Sequence, residues 1–322
     1  MRVLTVTFNP AIDQTVTLDR LTPGEVHRAR SSRQDAGGKG VNVASCLADW
    51  QVAVSAFGLL GADNAAPFET LFAAKGIDDR FVRRAGVTRT NLKLVDAAGT
   101  TDINMDGAPA DAADIDAVVA ALEAEAGPDC LIVLSGSLPP GCPADIYARI
   151  IAVVGAKGAT TLLDTSGLPL SLALEGDRLP DIVKPNRHEL AEWQGAPVDS
   201  ISDVQRAASD LHRRGVRLVI VSMGEQGALF LSDEGVLLGQ LKAIEVASTV
   251  GAGDAMVAGI AAALAEGLNI EGIARLSSAF AVGKLSRRGP HLPAPDVVRA
   301  LAGQVDISSV ALPGAVPAGE RK

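Results

Sequence analysis

Two glycine turns, each opening a helix-like run, hold the residues best suited to chemistry in this chain. Gly251-Ala252-Gly253 leads into the apolar run Ala255–Ala265. A small-residue turn of this kind leaves the first backbone N–H groups of a helix unpaired and directed outward. With the positive end of the helix dipole they form an anion site. Asp254 lies in the same turn. A carboxylate beside an anion site makes sense as a proton acceptor, and a base next to a phosphate cradle is what phosphoryl transfer to an alcohol requires. The same residues also read as a Gly-rich loop with an Asp N-cap.

The second turn is Asp35-Ala-Gly-Gly-Lys-Gly-Val-Asn42. Gly37, Gly38 and Gly40 allow a ligand close to the backbone, Lys39 supplies a mobile positive charge, and Asn42 can donate or accept. The spacing is not that of a Walker A loop, and an ordinary Gly-rich helix start would look the same. Asn9-Pro-Ala-Ile-Asp13 places a carboxylate after the first strand, able to grip sugar hydroxyls or simply to be solvated. Arg89, in Thr88-Arg-Thr-Asn-Leu-Lys93, suits bidentate phosphate binding or a charged strand face. Ser137, in Ser135-Gly-Ser-Leu-Pro-Pro-Gly141, can line a cleft or a plain turn. In Lys184-Pro-Asn-Arg-His-Glu189 the oxygens of Asn186 and Glu189 share a face at a helix start. They can hold a hydrated Mg²⁺ through its waters, form a capping box, or do both. Ser222-Met-Gly224-Glu-Gln-Gly227 lets a nucleotide lie against the backbone, or is a β-turn between two strands.

These turns need a scaffold. Apolar bursts of strand length (Val3–Phe8, Leu131–Leu134, Thr160–Leu163, Ile182–Val183, Leu218–Val221) alternate with helical patterns such as Asp114–Ala126, Ala144–Ala156 and Val204–Arg214. That alternation predicts a doubly wound sheet, whose ligands bind at the carboxyl ends of the strands. Residues 12–36 and 87–107 break the pattern with Gln14–Leu18, Asn91–Val95 and Asp102–Met105, which predict a small antiparallel flap outside the main sheet. Residues 311–322, rich in Pro, Ala and Gly, read as a disordered tail.

Composition narrows the classes. The chain has 322 residues, 48% of them hydrophobic and only 3% aromatic, which predicts a core of Ala, Val, Leu and Ile. A net charge of −9 argues against general binding to nucleic acid or to anionic membranes. Cys46, Cys130 and Cys142 have no paired spacing, and the four histidines are scattered, so neither a disulfide framework nor a zinc site is expected. No apolar run reaches a membrane span. The opening residues read as a strand rather than a signal peptide, and the expected compartment is the cytoplasm.

In their order, these stretches resemble the PfkB/ribokinase family of sugar kinases from Thr5 to about Ile307. Asn9–Asp13, Gly37–Asn42, Lys184–Glu189 and Thr249-Val-Gly-Ala-Gly-Asp254 match its signature stretches. The resemblance implies an α/β fold, a ribokinase-like three-layer αβα sandwich with a small β-sheet lid, spanning residues 1–310. It implies ATP as donor and Mg²⁺ as cofactor, leaves a monovalent cation open, and favours a homodimer through the lids. Lys39, the Asn-Pro-Ala opening and the segment around Arg89 are similar to members whose acceptor already bears a phosphate. The reaction so implied is phosphorylation of fructose 1-phosphate at the C6 hydroxyl. Tagatose 6-phosphate and fructose 6-phosphate are the alternative acceptors, and a non-catalytic sugar-phosphate sensor is the alternative from another class. A nucleotide-binding oxidoreductase is disfavoured, because no Gly-x-Gly-x-x-Gly follows the first strand. By this resemblance Asp254 is the base and Gly251, Ala252 and Gly253 the anion hole. Asp13, Gly37, Gly38, Asn42 and Ser137 would face the sugar, and Lys39 and Arg89 the acceptor phosphate, with Lys39 also within reach of the γ-phosphate. Lys184, Asn186, Ser222, Gly224, Gly227 and Thr249 would line the ATP side, with Asn186 and Glu189 organising Mg²⁺.

Overall fold

A computed structural model describes residues 1–243, 250–287 and 289–310; Thr249 and residues 311–322 lie outside the described residues. The chain begins with β1 (Arg2–Thr7), β2 (Ala11–Thr17), β3 (Ser31–Gly37), α1 (Lys39–Asp49), β4 (Val54–Gly61), α2 (Ala66–Lys75), β5 (Asp78–Arg84), β6 (Thr90–Val95) and β7 (Thr100–Ile103). It continues through α3 (Ala112–Glu125), β8 (Cys130–Ser135), α4 (Ile146–Ala156), β9 (Thr160–Asp164), α5 (Gly167–Glu175), β10 (Ile182–Val183), α6 (Arg187–Gln194), α7 (Ile201–Arg213) and β11 (Leu218–Ser222). Then come β12 (Ala228–Ser232), β13 (Gly235–Gln240), α8 (Ala252–Ala265), α9 (Ile270–Leu285), α10 (Pro295–Gly303) and β14 (Asp306–Ser309).

Ten strands form the main sheet in the order β14-β13-β12-β11-β10-β9-β8-β1-β4-β5. Pairing is parallel from β5 to β11. Apart from the charged edge strand β5, these strands are buried on both faces and their sequences are largely apolar runs. Successive residues still divide between two cores. Val3, Leu131, Val133 and Ile220 pack under α1, α2, α8, α9 and α10, while Leu4, Val6, Ile132 and Val221 pack under α3 to α7. The result is a helix–sheet–helix sandwich, and the expected αβα layering is met.

Two features differ from the expectation. The main sheet does not stop at its parallel strands, because β12, β13 and β14 extend it with antiparallel pairings. The flap is a four-stranded sheet, β3-β2-β6-β7, but only its outer pairs are antiparallel. Its centre, β2 on β6, is parallel, with Asp13 opposite Asn91. Alternating hydrophobicity reports which face of a strand is covered and not which strand lies beside it, so the pairing direction could not be read from the pattern.

The second glycine turn joins the layers. A Cβ on Gly40 would lie 2.3 Å from Thr7 Oγ1 and 2.8 Å from the Val6 carbonyl. Only glycine lets the start of α1 press this closely on β1. Helices α1 and α8 then pack side by side, which brings both glycine turns to the carboxyl end of the sheet.

Candidate active site

Helix α8 starts at Gly251, whose φ of 81° is left-handed and which offers no side-chain cap. Ala255 N–H makes the first bond of the helix, to the Gly251 carbonyl, so the N–H groups of Ala252, Gly253 and Asp254 precede the ladder. Helix α1 likewise starts at a glycine, Gly38, without a side-chain cap. By contrast α3, α6, α7 and α9 are capped by Asp111, Asn186, Ser200 and Asn269. Asp254 is therefore not an N-cap. It lies in the first turn of α8, only 8% exposed, and its Oδ2 accepts a 2.7 Å hydrogen bond from Asn42 Nδ2. Burial and the nearby Asp164 raise its pKa above the usual carboxylate range, against the opposing pull of Lys39, Asn42 and Lys184.

Asp164 escaped the sequence reading. It ends β9, is 1% exposed, and is gripped by Lys184 Nζ at 3.1 Å and Lys39 Nζ at 3.3 Å. Burial alone would raise its pKa, but the two ammonium groups outweigh that and hold it below the usual range. Burial pulls Lys39 down, yet the charges of Asp164, Asp254 and Glu189 hold it above the usual lysine range. Lys39, Lys184, Asp164 and Asp254 thus form one coupled group. The only sequence signal for Asp164 was a carboxylate ending an apolar strand, Leu162-Leu163-Asp164.

Two cavities flank this group. The larger, about 570 Å³, is lined by Asp13, Asn42, Gly251, Lys93, Arg33 and Lys284 among others. Asp13 accepts from Asn91 Nδ2 at 3.2 Å, and burial raises its pKa against the pull of Lys93. Gly37 stands directly over it, since a Cβ there would meet Asp13 Oδ2 at 2.8 Å. The smaller cavity, about 430 Å³, is lined by Arg89, Ser137, Asn9 and Asp106 among others. Arg89 and Ser137 therefore share a cavity, but not the one that holds Asp13 and Asn42. Nor does Arg89 present a free fork. Its Nε donates to the Pro10 carbonyl at 3.3 Å, one terminal nitrogen to Asn9 at 2.9 Å, and the other to Met105.

On the opposite side, Lys184 and Asn186 follow the two-residue strand β10. Asn186 and Glu189 form the complete capping box of α6. Asn186 Oδ1 accepts from Glu189 N–H at 2.9 Å, and Glu189 Oε2 from Asn186 N–H at 2.8 Å. Glu189 Oε1 is left for a further partner, so cap and cation site remain compatible, and an all-oxygen set suits a hard, hydrated cation. Ser222 donates its N–H to Pro185, which ties the two loops together. Gly224 and Gly227 sit in the tight link from β11 to β12. Gly227 has a local reason to be glycine, because a Cβ there would lie 2.1 Å from the Gly239 carbonyl. Among the described residues no cluster of His, Cys, Asp and Glu has metal-site geometry, and no helix is long and apolar enough to cross a membrane.

Residues 6–297 match the pfkB family carbohydrate kinases. The chain belongs to this family. As a pfkB kinase it is a phosphotransferase, and membership implies ATP as the phosphoryl donor. The chain is 48% identical to a 1-phosphofructokinase of Xanthomonas campestris pv. campestris, with 96% of this chain and 99% of that protein covered. It is 47% identical to a 1-phosphofructokinase of Rhodobacter capsulatus, with 96% and 98% covered. Among solved structures it is similar to phosphofructokinase-2 from Escherichia coli, in complex with potassium, with fructose-6-phosphate, and in a tetrameric inhibited form. TM-scores there are 0.86–0.88 at 26–28% identity, with 94% of this chain and 98% of those chains covered.

Proposed function

We propose that the protein transfers the γ-phosphoryl group of ATP to the C6 hydroxyl of fructose 1-phosphate, giving fructose 1,6-bisphosphate. The observation that carries phosphoryl transfer is Asp254, a buried carboxylate of raised pKa in the first turn of a helix whose N–H groups have no side-chain cap. The choice of acceptor rests on the two 1-phosphofructokinases that match over nearly their whole length.

Asp254 takes the hydroxyl proton as that oxygen attacks phosphorus, and Asn42 fixes the carboxylate for the task. The N–H groups of Ala252 and Gly253 stabilise charge growing on the phosphoryl oxygens, the role read for the Gly251–Gly253 turn. Asp13, Gly37, Gly38 and Asn42 hold the sugar hydroxyls in the larger cavity, and Arg89 and Ser137 take the acceptor phosphate. Arg89 must then release a backbone carbonyl, which couples phosphate binding to the flap. Lys39, held ready by Asp164, reaches the γ-phosphate. Lys184, Ser222, Gly224 and Gly227 line the nucleotide side, where Thr249 would join them. Bound Mg²⁺ would neutralise phosphate charge, held through water by Glu189 beside Asn186. A monovalent cation near the turn, a dimer through the lid sheets, a cytoplasmic location and a single kinase unit over residues 1–310 complete the reading. Closure of the four-stranded sheet over the sugar would exclude water and limit wasteful ATP hydrolysis.

The test is a coupled ADP-release assay with Mg-ATP, comparing fructose 1-phosphate, fructose 6-phosphate and tagatose 6-phosphate by kcat/KM. A clear preference for fructose 1-phosphate is expected, and a preference for either 6-phosphate would overturn the acceptor assignment. Asp254→Asn should lower kcat by at least about 10²–10⁴-fold while ATP binding stays measurable. Near-normal turnover would remove Asp254 as the base.

A further inference from the structure

The roles assigned above leave one buried charge unused. Lys284, in the last turn of α9, is 3% exposed. Its Nζ donates to the Arg287 carbonyl at 3.1 Å, and among the described residues no carboxylate is within ion-pair distance of it. A buried ammonium with no carboxylate in contact is expensive to keep, and burial pulls its pKa below the usual lysine range against the weaker attraction of Asp254 and Asp35. Its surroundings say what it awaits. The point where a side chain on Gly251 would begin is 3.4 Å from Lys284 Cε, 3.9 Å from its Nζ and 3.9 Å from Asp254 Oδ2. On the other flank of the turn, Lys184 Nζ is 3.9 Å from the matching point on Gly253. Two ammonium groups therefore straddle the anion turn. Lys184 is paired with Asp164, which it shares with Lys39; among the described residues Lys284 has no such pair, and Asp254 and Asp35 act on it only at longer range. Lys284 also lines the larger cavity together with Gly251 and Asn42.

We infer that Lys284 is a direct ligand of the phosphoryl group in transfer, supplying positive charge at the Gly251 side of the turn. This rests on the phosphoryl-transfer reading above. In that step the acceptor oxygen forms the new P–O bond and its proton passes to Asp254. The bond from the γ-phosphorus to the bridging oxygen breaks, and the electron pair leaves on ADP. Lys284 meets the γ-phosphoryl oxygens, which ADP lacks.

The test compares the affinity of the full-length protein for AMP-PNP and for ADP by calorimetry, both with Mg²⁺. The variants are Lys284→Met and, as the charge-preserving control, Lys284→Arg. In Lys284→Met, AMP-PNP should weaken about tenfold or more while ADP stays within about twofold, as expected when a hydrogen bond to a charged group is lost. Lys284→Arg should recover most of the difference. Equal weakening of both nucleotides, or no weakening of either, overturns the proposal. So does a loss confined to KM for fructose 1-phosphate, which would place the ammonium on the acceptor's own phosphate. The nucleotide pair needs no turnover. If the wild type fails to phosphorylate fructose 1-phosphate, the acceptor assignment falls while the affinity ratio still decides the role of Lys284.

Discussion

At the scale of single residues, the anion turn separates what the fold needs from what the chemistry needs. Gly253 is inside the helix with ordinary backbone angles, and an added Cβ would meet only Lys184 Nζ, at 3.9 Å. Gly253→Ala should therefore leave the melting temperature unchanged or raise it, since alanine is better than glycine in a helix by about 0.5–1 kcal/mol. Its methyl would nevertheless stand over the phosphoryl site, and kcat should fall. Thermal melts and turnover, measured side by side, check that split. Asn42 offers a different test. As the base, Asp254 must be ionised, so activity is lost as pH falls through its pKa, and the raised pKa puts that acid limb above the ordinary carboxylate range of about 3.9. The Asn42 hydrogen bond favours the ionised form. Asn42→Ala should move the acid limb of kcat to higher pH, and a limb that stays in place would separate Asn42 from the ionisation of the base.

At the scale of elements, the site depends on how closely two helices lie. Gly259, in the middle of α8, faces α9 without room for a side chain. A Cβ there would be 2.6 Å from Ser277 Cα and 3.0 Å from Phe280 Cβ. Asp254 stands at the start of α8 and Lys284 at the end of α9, so this contact sets their spacing. Gly259→Ala should cost both stability, by about 1–3 kcal/mol as an overpacked core does, and turnover, although it touches no substrate. Denaturant unfolding with steady-state kinetics on the same protein would show whether the two losses go together. These elements also show what could be read in the sequence. Helix α8 was announced by a glycine turn and an apolar run. Even two-residue β10 was visible, because Pro185 and the polar residues after it bound Ile182-Val183. Lys284 was not, since a lysine near a helix C-terminus is what any solvated helix carries. Its burial comes from the packing of α9 against α8, a contact between helices whose sequences name no partner. Asp164 stayed hidden for the same reason. Its two lysines lie 125 and 20 positions away in the chain, and only the side-by-side order of β1, β8, β9 and β10 unites them.

At the scale of the whole molecule, an acidic chain of net charge −9 handles two polyanions. The overall composition carries no sign of this; local placement explains it. Lys39, Lys184 and Lys284, with the open N-termini of α1 and α8, concentrate positive potential at one end of the sheet. The layered fold was legible because strand-length bursts and helical runs alternate in order. Of the antiparallel edge only the turn from β11 into β12 was offered by the sequence, as the β-turn alternative at Ser222–Gly227; β13 and β14 were not, because they lie beyond the repeating unit. Gly227 reads either as a nucleotide-facing glycine or as part of a β-turn, and the Gly239 carbonyl beneath it adds a packing reason for glycine that the sequence does not show.

The order of strands has a consequence for birth on the ribosome. β1 has β8 as a neighbour, more than a hundred residues later, and the face it shares with α1 is roofed by α8 and α9, which come later still. Until those helices emerge, the core that holds Val3, Val41 and Leu131 is covered by α1 and α2 alone, and Asn42 lacks its Asp254 partner. A nascent chain of this order has half its core unfinished, and no base, until α8 is made. The enzyme acquires its base and the roof of its core from the same late helices, so a chain that stops before α8 lacks the carboxylate that would direct ATP to its acceptor.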